Sequence, residues 1–124
     1  MGSSFEELLE MQKELMSKIP HGHMIKSEHQ ANVVASLGLI EETMEYLNAI
    51  GFKTWRPNPL PEEDQLEEIT DVLFFYLEMV ISSGFSWERI VQQYHKKHAI
   101  NMQRYKDAAA GNYEWDRRRE RKGL

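Results

Sequence analysis

The sequence predicts an all-α protein, a helical bundle of about four helices, and three observations carry that expectation. Apolar residues recur at steps of three and four in four separate stretches, the period of an amphipathic helix. Serine, proline and glycine punctuate the ends of those stretches, where helices are capped and stopped. No stretch alternates apolar and polar residues at the period of a strand.

Residues 4–19 form the first helix. Ser4 can cap it, Glu6 and Glu7 suit the positive end of its dipole, and Phe5, Leu8, Leu9, Gln12, Leu15, Met16 and Ile19 recur at helical spacing. Pro20-His21-Gly22-His23 ends it. Residues 27–50 form the second, from the cap Ser27 to the stop Gly51. Val33, Leu37, Ile40, Met44 and Leu47 make one apolar stripe, and Leu39, Tyr46 and Ile50 lie on another side. A helix apolar on more than one side is buried or meets another subunit. Between those faces runs a strip of Gly38, Glu42, Glu45 and Ala49, where small residues beside acids leave room for a ligand; Glu41 lies at its edge, closer to the core-facing side.

Residues 52–61, FKTWRPNPLP, hold three of the four prolines and read as a loop. In the third helix, residues 62–83, Leu66, Ile69, Leu73, Tyr76, Leu77 and Val80 face one way, while Asp64, Glu68, Asp71 and Phe75 share another strip. The fourth covers residues 86–110, has a weaker apolar pattern and stops at Gly111. One domain is expected over residues 1–124, with 115–124 as a mobile charged tail.

A net charge of -5 disfavours a nucleic-acid polymer as partner, because nothing offers broad phosphate neutralisation. The chain has no cysteine, which rules out disulfides and thiolate zinc sites and fits a reducing cytoplasm. No apolar run approaches the ~20 residues of a membrane span, and the first residues lack a secretory pattern.

The chemistry lies in the acids of the two middle helices. Glu42 and Glu45 project from one side of one helix, and Glu68 and Asp71 do the same on another. One such pair alone is ordinarily a solvated face. Two pairs, each inside an apolar helix, favour a carboxylate cage for a hard cation, because four converging negative charges require neutralisation. All-oxygen ligands select Mg²⁺, or Mn²⁺, over zinc. Mg²⁺ keeps waters and takes substrate phosphates as further ligands, so the matching reaction is attack of water on a phosphoanhydride. On the fourth helix Lys97, Asn101 and Arg104 form one stripe of two cations and an amide donor suited to a di- or triphosphate. Trp55, between Lys53 and Arg56, either stacks on a base or anchors packing. His21 and His23 flank a glycine and read as surface or pocket-side residues rather than a metal site.

Glu41-Glu42-x-x-Glu45, then 22 residues, then Glu68-x-x-Asp71 resembles the signature of the all-α nucleoside triphosphate pyrophosphatases, which include the MazG proteins and the dimeric dUTPases. The segment from Glu45 to Trp55 is similar to the run that leads from the first acid pair to a tryptophan in the dimeric dUTPases. Asp71 to Leu77 is similar to their second metal helix, and Tyr94 to Arg104 followed by Gly111-Asn-Tyr113 to their C-terminal phosphate motif. The resemblance covers roughly residues 29 to 113 and implies a Mg²⁺-dependent hydrolase, a cytoplasmic homodimer, that cuts a deoxynucleoside triphosphate such as dUTP to the monophosphate and pyrophosphate, or dUDP to the monophosphate and phosphate. It implies Glu42, Glu45, Glu68 and Asp71 as metal ligands, Glu45 as the group that activates water, and Lys97, Asn101 and Arg104 on the phosphates. Lys53 and Trp55 would lie near the substrate, and Gln12 would fill the position of a glutamine that reads uracil. An asparagine follows that glutamine one turn later in the family, and Met16 or Leu15 stands there instead. That departure keeps two other readings open: a MazG-like pyrophosphatase for dCTP or a damaged nucleotide, and a non-catalytic helical interaction module.

Overall fold

The computed structural model describes residues 4–19 and 25–111. Four helices follow in order: α1 (Phe5–Lys18), α2 (Glu28–Ala49), α3 (Glu62–Ser83) and α4 (Trp87–Ala109). Each differs from its expected bounds by at most a residue at either end. The charged tail expected from residue 115 lies outside the described residues, as do His21 and His23. Among the described residues no single helix is long and apolar enough to cross a membrane.

The serine caps form as expected. Ser4 Oγ accepts the Glu7 N–H at 3.1 Å, and Ser27 Oγ accepts the Gln30 N–H at 3.0 Å, each satisfying a donor the helix leaves free. At the end of α2, Gly51 takes φ 73°; its N–H reaches the Asn48 carbonyl, and the Phe52 N–H reaches the Leu47 carbonyl at 3.2 Å. This pair of bonds is a Schellman cap and needs a residue free to adopt positive φ. The Pro57 carbonyl also approaches the face of Gly51 on which a Cβ would stand.

The chain divides into two compact units, Met1–Trp87 and Glu88–Leu124. In the first, α3 packs along α2 and against α1. The Leu60 N–H donates to the Ala49 carbonyl at 2.8 Å at one end of the α2–α3 pair, and Asn32 Nδ2 donates to the Ser82 carbonyl at 3.0 Å at the other. The start of α2 therefore lies beside the end of α3, and the two helices are antiparallel. The Phe5 ring at the head of α1 stacks on Trp87, with centroids 5.2 Å apart. The core of this unit is thin: Leu9, Ala35, Ala49, Leu77 and Val80 are its buried apolar residues. In the second unit no described residue of α4 is buried. Tyr94 stacks there on His98, one turn on.

Two expectations about α2 change. Small residues, not large ones, bring it close to α3: Ala35 and Ala49 are buried, whereas Val33, Leu37, Ile40 and Met44 are 42%, 59%, 57% and 44% exposed. The apolar stripe thus points away from the core of its own unit. The space at Gly38 holds no room for a ligand, because the Phe75 ring of α3 occupies the place where a Cβ would stand.

Gly38→Ala should therefore destabilise the fold. Alanine gains about 0.5–1 kcal/mol of helix propensity, but displacing the ring costs about 1–3 kcal/mol. Thermal denaturation should show a melting temperature lower by several degrees, recovered in part by adding Phe75→Leu. A melting temperature at or above wild type would remove this contact from the account.

Candidate metal and nucleotide site

The register of the α2–α3 pair decides which acids meet. Phe75 faces Gly38. Four residues further along α2 and four back along α3, that register sets Glu42 against Asp71; three more set Glu45 against Glu68. Glu42, Glu68 and Asp71 each offer a carboxylate oxygen within 4.8 Å of the other two, and all three are half-buried. Glu45 is exposed and stands outside this trio. Glu41, expected nearer the core, is exposed as well.

The trio carries its charge uncompensated. Partial burial is the larger cause that holds Glu42 above the usual carboxylate range, and the charges of Asp71, Glu68, Glu41 and Glu45 add to it. Glu68 is raised for the same first reason, with Asp71, Glu45, Glu67 and Asp64 contributing. The ion pair Lys13–Glu10 is remote in sequence from these acids, and among the described residues no ion pair or hydrogen bond reaches the trio. Three close carboxylate oxygens without a protein counter-charge fit a hard divalent cation, and the ligand set is one that Mg²⁺ or Mn²⁺ accepts.

Beside the trio lies a cavity of about 290 Å³. Glu45 and Glu68 line it from the helices, and Lys53, Arg56 and Asn58 line it from the α2–α3 loop. Trp55 is not among its walls; the residue is 76% exposed. Gln12 on α1 is buried, and its Oε1 accepts no hydrogen bond from the described residues. An unsatisfied buried carbonyl costs about 1–3 kcal/mol, so this acceptor is poised for a donor from outside the described chain. Met16 is half-buried and Leu15 is 44% exposed. Lys97, Asn101 and Arg104 share a stripe of α4 within the second unit; Lys97 and Asn101 are exposed and Arg104 half-buried.

On sequence alone Arg56 stands out only as a neighbour of Trp55, and Asn58 does not stand out at all. The signal was present: Lys53 and Arg56 are three apart before Pro57, the spacing of residues that meet across a tight turn.

A carboxyl raised on folding stabilises the fold below its unfolded pKa, and that stability is lost as pH rises through the folded value. In the presence of chelator, Glu42→Gln should therefore melt higher than wild type at about pH 7, by an increment on the order of 1–3 °C. The gain should shrink as pH falls and the wild-type carboxyl, held above its ordinary range, takes up its proton. A variant less stable than wild type at neutral pH would count against repulsion within the trio.

No curated protein and no solved structure gives a significant match to the chain. The family described as dUTPase matches over residues 4–86. The match takes in all of α1, α2 and α3, with Gln12 and every acid of the two pairs, and stops short of α4 and its basic stripe. On this span, and with an all-helical fold, the chain belongs to the dUTPase family, in the all-α nucleoside triphosphate pyrophosphatase branch.

Proposed function

We propose that this protein hydrolyses a deoxynucleoside triphosphate, with dUTP as first candidate, to the monophosphate and pyrophosphate in a Mg²⁺-dependent reaction. The observation that carries the proposal is the trio Glu42, Glu68 and Asp71, three uncompensated carboxylates in a chain of this family. Together with Glu45 they would hold the metal. When bound, Mg²⁺ neutralises the cage and draws electron density from the phosphate oxygens.

Glu45 suits the part of base. Its carboxylate borders the cavity and is exposed, so it can take a proton from water as the water oxygen attacks the α-phosphorus. The bond from the α-phosphorus to the bridging oxygen breaks, and pyrophosphate leaves. Lys97, Asn101 and Arg104 would hold phosphate oxygens by charge-assisted hydrogen bonds, and Lys53 would add a cation from the loop. The buried Oε1 of Gln12 supports a role in reading the base, because an imide N–H would satisfy it. Trp55 offers an exposed ring for stacking. The apolar Met16 favours a second reading, a pyrophosphatase for a different base, since it supplies no amide one turn after Gln12. A cytoplasmic setting follows from a role in the free nucleotide pool.

The active form is proposed to be a homodimer. Val33, Leu37, Ile40 and Met44 on α2 and Leu66 and Ile69 on α3 are all more than 40% exposed. Exposed apolar residues of this number suit an association face, and the thin core of a single chain leaves little else to stabilise it.

Pyrophosphate release measured across a panel of deoxynucleoside triphosphates with Mg²⁺ should place dUTP among the best substrates. Glu45→Gln should lose about 100-fold or more in turnover while binding a non-hydrolysable analogue within threefold of wild type. A better substrate with another base would move the assignment to the second reading; no hydrolysis and no metal binding would leave a non-catalytic helical module.

Sedimentation equilibrium should return twice the mass of the chain, and Leu37→Asp should shift the protein toward monomer. A wild-type monomer at micromolar concentration would sink the dimer.

A further inference from the structure

The α2–α3 loop carries two cations into the cavity beside the acids. The Arg56 N–H donates to the Lys53 carbonyl at 3.1 Å, closing a tight turn that sets the two residues side by side. Both line the cavity that Glu45 and Glu68 border from the helices. Yet neither cation lies within 4.0 Å of a carboxylate oxygen of any described residue. Opposite charges share one cavity and leave a gap between them. Asn58, two residues on, adds an amide donor to the cationic wall.

A ligand that fills this gap must be anionic toward the loop and must bind, through a cation, to the acids. A phosphate chain chelated to a divalent metal has that character. Resting on the function proposed above, we propose that Arg56 is a phosphate-binding residue, a cationic arm that grips the pyrophosphate portion of the substrate from the α2–α3 loop, with Asn58 beside it. The planar guanidinium can take two phosphate oxygens at once, which a lysine ammonium cannot do in the same fixed geometry. The loop has the stiffness this requires. The Schellman cap at Gly51 holds one end, the Leu60–Ala49 hydrogen bond holds the other, and Pro57 and Pro59 restrict the backbone between them.

Inorganic pyrophosphate with Mg²⁺ is the probe, and titration calorimetry on the full-length chain is the readout. Arg56→Gln should weaken pyrophosphate binding tenfold or more, and Arg56→Lys should recover only part of the loss. Mg²⁺ alone should bind the Gln variant as tightly as wild type or tighter, since a nearby positive charge has gone. Pyrophosphate affinity within twofold of wild type in Arg56→Gln would overturn the inference while leaving the proposed hydrolysis intact, provided the wild type turns over a nucleotide. A wild type that binds neither Mg²⁺ nor pyrophosphate would overturn both. Arg56 is exposed, so its substitution leaves the core unchanged.

Discussion

The mutual repulsion of Glu42, Glu68 and Asp71 is the cost that the rest of the first unit offsets. Three carboxylate oxygens within 4.8 Å of one another favour the separation of α2 and α3. What opposes it is close packing further along the same two helices. Ala35 and Ala49 bring the backbones together, Gly38 admits the Phe75 ring, and Asn32 ties the start of α2 to the carbonyl of Ser82. Residues small enough for close approach thus serve the acids indirectly. They hold charged groups at a spacing the groups themselves would not choose, which keeps the site ready for a cation and costs stability in its absence.

Much of this was legible in the sequence, for physical reasons that can be named. Caps and stops are local: Ser4, Ser27 and Gly51 act through bonds to residues a few positions away, so the helix limits followed directly. The acid pairs were legible because helical periodicity places Glu42 with Glu45 and Glu68 with Asp71 without reference to the rest of the fold.

The facing of α2 was not legible. Its two apolar sides and its small-residue strip competed for the core, and periodicity alone cannot rank them. The strip won because α3 offers the Phe75 ring, a large group that needs a notch; the sequence shows the notch at Gly38 but not what fills it. The division of labour among the acids was equally hidden. Glu42 and Glu45 are equivalent on a helical wheel, and only the register against α3 puts Glu42 into the trio and leaves Glu45 at the cavity. Arg56 is less legible than the acids, because the turn spacing from Lys53 is its single mark and loop residues have no periodicity to reinforce it. The family match ends at residue 86, so the basic stripe of α4 rests on its own residue pattern.

The hydrogen bond from Leu60 to Ala49 has a consequence for how such a protein can change over time. It closes the segment between the two helices into a ring whose ends are fixed, with Lys53 and Arg56 on the rim. Residues inserted or exchanged on that rim leave the helical register untouched, because loop length enters the closure entropy only logarithmically. The acids and the rim are therefore separable under mutation. One can be held constant by the packing of α2 on α3 while the other is varied, which makes the rim the part of this fold most open to a new ligand.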